Sequence, residues 1–302
     1  MLRKFLAVIL CASLCPALSS GRLAAYSFAA SPQAASSSQG TLRLDVNLVN
    51  VFLTVQNSRG EFVTGLSAGD FRVFEDDVEQ KISIFEKDDK VGSSIGLLVD
   101  NSGSMIDILP IMKTGVLDFV QKAKRSDEFF VMTFGIRAQV IQDVRQPVQN
   151  LESAFKNLAA SGTSVFFDAL IQGMAKVSRS ERQRKALIVF TDGNDNGSKA
   201  GFGVVSLAAQ RASVLLYFVP IGARVLIDHN TVDSLAKLSG GRVLYLEKSD
   251  PIRPAIESIR NDLSKQYYLG YYAALRPGFH NIRVEVPGQD VRIRTKTGYM
   301  GN

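Results

Sequence analysis

The stretch S-I-G-L-L-V-D-N-S-G-S, residues 94–104, decides the fold. Residues 95–99 read as a strand buried on both faces, as the central strands of parallel sheets are. The run ends on Asp100, and Ser102 and Ser104 follow at alternate positions. In open α/β sheets ligands bind in the crevice beyond the carboxyl ends of the strands, which is where these three side chains fall. One carboxylate and two hydroxyls in a tight loop suit a hard cation such as Mg²⁺. The same residue types also make ordinary turns, so these residues alone equally describe a plain loop.

Two further segments carry the argument on. V-F-T-D-G-N-D, residues 189–195, closes a second apolar run over 186–191 and presents Asp192 ahead of Gly193. S-G-T-S-V-F-F-D-A-L, residues 161–170, places Thr163 after Gly162 and just before a helical pattern that carries Asp168. Asp, Ser, Ser, Thr and Asp thus recur in order, each at a strand end or in a loop leading into a helix.

This constellation resembles the metal-ion-dependent adhesion site (MIDAS) of the von Willebrand factor A (VWA) family. The matching positions are Asp100, Ser102, Ser104, Thr163 and Asp192, with no substitution. The resemblance implies one bound Mg²⁺ (or Mn²⁺), touched directly by the serine and threonine hydroxyls while the aspartates act largely through water. Neutral hydroxyls leave such an ion much of its charge, so a carboxylate from a protein or glycan partner can complete the shell. Mg²⁺ keeps several waters and near-octahedral oxygen geometry, and outer carboxylates orient such ligands. Asp168 reads instead as a solvent-facing or capping residue in a first helical turn.

Around these loops strand and helix patterns alternate. Strands are expected at 95–99, 129–134, 186–191, 214–219 and 242–246, and helices at 106–122, 151–158, 167–177, 204–212, 232–238 and 251–263. That alternation predicts an α/β domain over 90–265, a doubly wound, mainly parallel, Rossmann-like sheet. The family implies an antiparallel edge at 140–144.

The flanking segments read differently. In 41–89, Leu42, Leu44, Val46 and Leu48 alternate, then the parity shifts to Val49, Val51, Leu53 and Val55, which suggests a bulge or a change of face. D-F-R-V-F-E-D-D-V-E-Q-K-I-S-I-F, residues 70–85, reads as a hairpin turning at Asp76-Asp77. In 266–302, Q-Y-Y-L-G-Y-Y, H-N-I-R-V-E-V and D-V-R-I-R-T-K are strand-like runs separated by Pro-Gly turns. Each segment is too small for its own core, so both ends are expected to pair into one small β-sandwich into which the α/β domain is inserted. This layout resembles the VWA-related domain of exported bacterial proteins, notably acidobacterial ones, at Asp70-Phe71, Val73, Glu75-Asp76, residues 266–271 and Gly298-Tyr299. Asp77 stands where that hairpin usually carries Gly.

The amino terminus has the three parts of a secretory signal: Arg3 and Lys4, an apolar stretch over 5–14, and the small-residue site Ala17-Leu18-Ser19. Its apolar core is too short to span a bilayer. A signal peptide over 1–19 and a disordered Ala/Ser/Gln-rich spacer over 20–40 are expected, with export to the periplasm, the cell envelope or the medium. Both cysteines, Cys11 and Cys15, fall inside the signal, so a mature chain cut there has no thiol chemistry. No other segment is long and apolar enough for a transmembrane span.

Composition narrows the function further. Of 302 residues, 46% are hydrophobic, enough for one large core and a smaller one, and the net charge is only +6. The basic run Lys176, Arg179, Arg182, Arg184 and Lys185 has no interleaved aromatics, which argues against nucleic acid. His229 and His280 are the only histidines, no G-x-S-x-G elbow occurs, and no phosphate-cradling Gly-Lys-Ser/Thr loop occurs. A phosphatase using Asp100 as nucleophile would want an acid at the position of Ser102. The expectation is therefore a non-enzymatic, exported, metal-dependent adhesion module. A structural part of an envelope complex is the alternative, and a Mg-dependent hydrolase comes third.

Overall fold

The protein is described by a computed structural model covering residues 46–87, 92–144, 147–222 and 228–301. The expected signal peptide over 1–19 and spacer over 20–40 lie outside the described residues. The first β segment holds β1 (Val46–Asn57), β2 (Arg72–Glu75), β3 (Val78–Gln80) and β4 (Ile84–Glu86). The α/β domain follows as β5 (Ser93–Asp100), α1 (Leu109–Gln121), β6 (Glu128–Phe134), β7 (Ala138–Gln142), α2 (Val148–Asn157) and α3 (Phe166–Ser178). It continues with β8 (Arg184–Thr191), α4 (Phe202–Arg211), β9 (Leu215–Pro220), α5 (His229–Ser239), β10 (Arg242–Val243) and α6 (Ile252–Ser264). The chain closes with β11 (Tyr267–Ala274), β12 (Gly278–Glu285), β13 (Val291–Thr295) and β14 (Gly298–Gly301).

The central sheet has the order β10-β9-β8-β5-β6-β7. Its strands are parallel except for β7, which pairs antiparallel with β6 at the edge. β5 and β9 are buried at every position, because helices cover both faces. Leu97, Val99, Ile188 and Tyr217 pack with Met112 and Val116 of α1 and with Ile256 and Ile259 of α6. On the other face Leu98, Leu187, Val189 and Phe218 meet Phe166, Leu170, Val205 and Leu235 of α3, α4 and α5. The strand expected at 242–246 is shorter: pairing stops at Val243 and resumes only as an isolated bridge between Ile221 and Leu246.

The two chain ends form the sandwich. One sheet runs β13-β1-β11-β4 and the other β14-β12-β2-β3. Residues of β1 pair with both β11 (Val51 with Leu269) and β13 (Val55 with Ile293), so neither end of the chain could complete this sheet alone. Val49, Val51, Leu53, Val73, Tyr267, Leu269, Ile282 and Val284 fill the space between the sheets. Burying side chains of this size contributes roughly 1.5–3 kcal/mol each, before conformational entropy is set against it.

Two local expectations are corrected. The parity change in β1 is not a bulge: its pairing with β11 runs without a slip from Val46 to Leu53. Instead the strand has two buried faces, because Phe52 stacks on Tyr268 with ring centroids 4.9 Å apart and both join the core of the α/β domain. Nor does the hairpin run to residue 85. β2 and β3 turn at Asp76 and Asp77, both left-handed (φ 47° and 65°), as a tight two-residue turn requires. After Gln80 the chain crosses to the opposite sheet, where β4 pairs with β11.

Candidate metal centre

β5 delivers Asp100 to the carboxyl end of the sheet, where its carboxylate is fully buried. Its Oδ1 accepts the Ser102 backbone N–H at 2.9 Å. Oδ2 accepts the Thr191 hydroxyl at 2.8 Å and, at a longer 3.4 Å, that of Ser164. The chain then turns through a short 3-10 segment over Gly103–Met105. That turn brings Ser102 Oγ and Ser104 Oγ to 3.1 Å, with Ser102 buried and Ser104 exposed.

The second loop is clamped to the first by main-chain bonds. Asn101 N–H donates to Phe134 O, the Ser161 N–H to Asn101 O, and the Gly103 N–H to Gly162 O at 3.0 Å. Gly162 is left-handed (φ 74°), and a Cβ there would come within 2.4 Å of the Ile136 side chain, so only glycine lets the loop approach this closely. Thr163 follows it, exposed, between Gly162, which is bonded to the first loop, and Ser164, which is bonded to Asp100.

The third loop leaves β8 at Thr191. Its Oγ1 accepts the Gly193 N–H at 2.9 Å, and half-buried Asp192 accepts the Asn194 N–H at 3.0 Å. The rest of that loop is laced to the second: Asn196 Oδ1 accepts the Ser164 N–H, Asp195 Oδ1 the Phe167 N–H, and Ser198 Oγ the Asp168 N–H. Asp168 returns the favour by accepting the Lys199 and Ala200 N–H groups, both at 3.0 Å. It is thus an anchor between two loops distant in sequence, not the solvent-facing or capping residue that its place in a first helical turn suggested.

Asp100, Ser102 and Ser104 are joined directly. Thr163 and Asp192 reach the same end of the sheet through their neighbours, with no hydrogen bond of their own to those three. Sequence reasoning missed Thr191 and Ser164, which brace the buried carboxylate. Both stand inside the quoted motifs, immediately beside Asp192 and Thr163, and strand pairing of β8 with β5 is what brings Thr191 to Asp100.

The electrostatics test whether a cation fits. Burial pushes the Asp100 pKa up to about 6, opposed by the hydrogen bonds from Ser102 and Thr191 and reinforced by the nearby charge of Asp192. Among the described residues neither Asp100 nor Asp192 has an ion-pair partner. Two carboxylates and three hydroxyls, all oxygen donors and lacking a counter-charge, fit a hard divalent cation. A second group, Glu75, Asp76 and His280, also gathers possible ligand atoms within 4.8 Å of one another. There the cationic place is already filled, since Arg276 lies 2.8 Å from Glu75 and 3.6 Å from Asp76.

Comparison with known proteins agrees with this geometry. Residues 95–194 match the family model of the von Willebrand factor type A domain. Among solved structures, proximal thread matrix protein 1 from the mussel byssus, described with a zinc-occupied MIDAS motif, aligns with 18% identity and a TM-score of 0.51. The alignment covers 63% of this chain and 50% of that one. The D319A mutant of the PilB minor pilin from Streptococcus sanguinis aligns with 11% identity and a TM-score of 0.50, over 58% and 62% of the two chains. An aerotolerance-related membrane protein from Bacteroides fragilis aligns with 15% identity and a TM-score of 0.48, over 58% of this chain and all of that one. At such identities the likeness to the first two is one of fold alone. No curated protein matches the sequence.

Proposed function

We propose that the protein is an exported, non-enzymatic binding module whose von Willebrand factor A domain captures an acidic group of a partner through a divalent cation. Ser102, Ser104 and Thr163 would hold the ion, with Asp100 and Asp192 behind them, and Mg²⁺ or Mn²⁺ suits that donor set. The single observation that carries the reading is Asp100: a fully buried carboxylate without a cationic partner among the described residues, at the mouth of three interlaced loops. A bound cation supplies a positive centre to which a carboxylate can add. The protein's own groups do the rest. Thr191 and the Ser102 amide fix the orientation of Asp100, the 3-10 turn sets the spacing of the two serine hydroxyls, and the Gly103–Gly162 bond holds the Thr163 loop against them.

Catalysis is disfavoured by where the remaining chemistry lies. His280 is engaged by Asp76 and the Arg276 carbonyl in the sandwich, and His229, at the start of α5, lies in a tilted ring contact with Tyr245. Export rests on the signal-like leader. Among the described residues no helix is long and apolar enough to cross a membrane.

Titration of the mature chain with Mn²⁺ and Mg²⁺, compared with Asp100→Ala, tests the site. Binding should be saturable at one site and lost in the variant, with the far-UV spectrum unchanged. Equal affinity in the variant overturns the assignment. A pull-down from envelope extract with and without chelator tests the function. A partner retained at full strength in chelator would mean a surface away from these loops, and an assembly role would take precedence.

A further inference from the structure

Lys296 sits between β13 and β14, in the seam where the sandwich meets the α/β domain. It is common to three adjoining cavities of about 10, 230 and 510 Å³. Its main chain is pinned from one side: Gly240, left-handed at the end of α5 (φ 82°), lies so close that a Cβ there would come within 2.5 Å of Lys296 N. Among the described residues no carboxylate or hydrogen-bonding oxygen reaches Lys296 Nζ, and its one neighbour of note is the Tyr299 ring, 5.6 Å away. Burial pushes its pKa down to about 8.

The 230 Å³ cavity has a second unpaired cation. Arg211, the last residue of α4, is exposed and without an ion-pair partner among the described residues. Gln210, Ser213 and Asn50 add neutral polar groups. The Tyr268 hydroxyl donates to Asn50 Oδ1 at 2.7 Å, which leaves the Asn50 amide N–H groups as donors. Among the described residues no Asp or Glu lines this cavity. Ser213 precedes β9, so the cavity lies at the amino end of the parallel strands, opposite the metal-site loops.

We propose that this cavity is an anion site, in which Lys296 and Arg211 take a phosphate or carboxylate group between them while Asn50 and Ser213 donate to its remaining oxygens. A partly desolvated cation without a partner is costly, and an oxyanion placed here converts that cost into charge-assisted hydrogen bonds. Arg211 contributes a planar donor fork suited to such groups. The site is independent of the proposed metal-dependent function and stands or falls apart from it.

Calorimetric titration of the full mature chain in metal-free buffer decides the matter, with inorganic phosphate in one arm and malonate in the other. Saturable binding in either arm is expected, and the arm that binds identifies the group. Lys296→Met and Arg211→Gln should each weaken it at least about tenfold, Lys296→Arg should restore most of it, and Asp100→Ala should leave it unchanged. If Lys296→Met fails to fold, Arg211→Gln, at an exposed position, carries the comparison. Absence of saturable binding in both arms overturns the proposal, as does binding that is unaltered in either variant. In those cases Lys296 serves only to answer the carbonyl ends of α4 and α5.

Discussion

Thr191 Oγ1 donates to Asp100 Oδ2 at 2.8 Å, tying the carboxyl ends of neighbouring strands β8 and β5 through residues ninety-one positions apart. The hydroxyl is itself oriented, since it accepts the Gly193 N–H. Thr191→Val keeps the shape and removes the donor. Metal affinity should fall about 10–100-fold, as for other bonds that orient a site from behind, and stability by roughly 1–3 kcal/mol. Calorimetry with Mn²⁺ and urea unfolding measure the two, and undiminished affinity would show that Asp100 needs no such brace.

On the proposed function, Thr163 should separate metal binding from partner binding. It is exposed at the rim, whereas Asp100 is buried beneath it. Thr163→Ala removes one hydroxyl and keeps both carboxylates, so partner capture should drop more than metal affinity. Equal losses in the two assays would place Thr163 outside the face presented to the partner.

Phe52 couples the sandwich to the α/β domain through its stack on Tyr268. Phe52→Ala should cost about 3–5 kcal/mol, the range for deleting a buried aromatic ring. The measurement is the urea midpoint, and a loss below about 1 kcal/mol would mean that the seam can collapse around the cavity.

His280 makes the sandwich sensitive to pH. Its Nδ1 lies 2.7 Å from Asp76 Oδ2 and its Nε2 3.0 Å from the Arg276 carbonyl, so both ring nitrogens face acceptors, an arrangement that favours the doubly protonated ring. The hydrogen bond to Asp76 leads in raising the His280 pKa above its ordinary 6.5, against a smaller opposing effect of burial. Glu75 and Arg276 also face the pair. A raised histidine contributes stability that is full below 6.5 and lost as pH rises through the folded value. The Asp76 pKa is lowered, led by the same bond, so its contribution is present above 3.8 and lost as pH falls through the folded value. Wild-type protein should therefore lose more stability than His280→Gln between pH 6 and pH 9. Parallel unfolding midpoints across that interval would refute the doubly protonated ring.

The parallel sheet and the five site positions were legible because a doubly covered strand leaves an unbroken apolar run, as over 95–99, and because strand ends put their polar residues at short, countable spacings. Thr191 and Ser164 were not legible as braces, since what they touch depends on which strands become neighbours. In β1 the parity shift left a bulge and a change of face both open for a related reason: alternation reports one covered face, and Phe52 faces a second body that lies far along the chain. The crossing from β3 to β4 was hidden too, because Ile82 and Ile84 keep the same alternation on either side of it. The Arg276–Glu75 and Lys296 arrangements join residues from opposite chain ends, and no local pattern encodes such meetings.

Glu86 at the end of β4 stands directly opposite Tyr268 near the start of β11. The chain therefore departs for the whole α/β domain and comes back at two adjacent points, the width of one strand spacing apart, about 5 Å. Such a neck makes the domain a detachable cassette: a two-residue turn could bridge the gap and turn β4 and β11 into an ordinary hairpin. A lineage could then exchange, lengthen or lose the insert wherever the platform's Phe52 and Tyr268 find new cover, and an engineer could graft a different sensor at the same place.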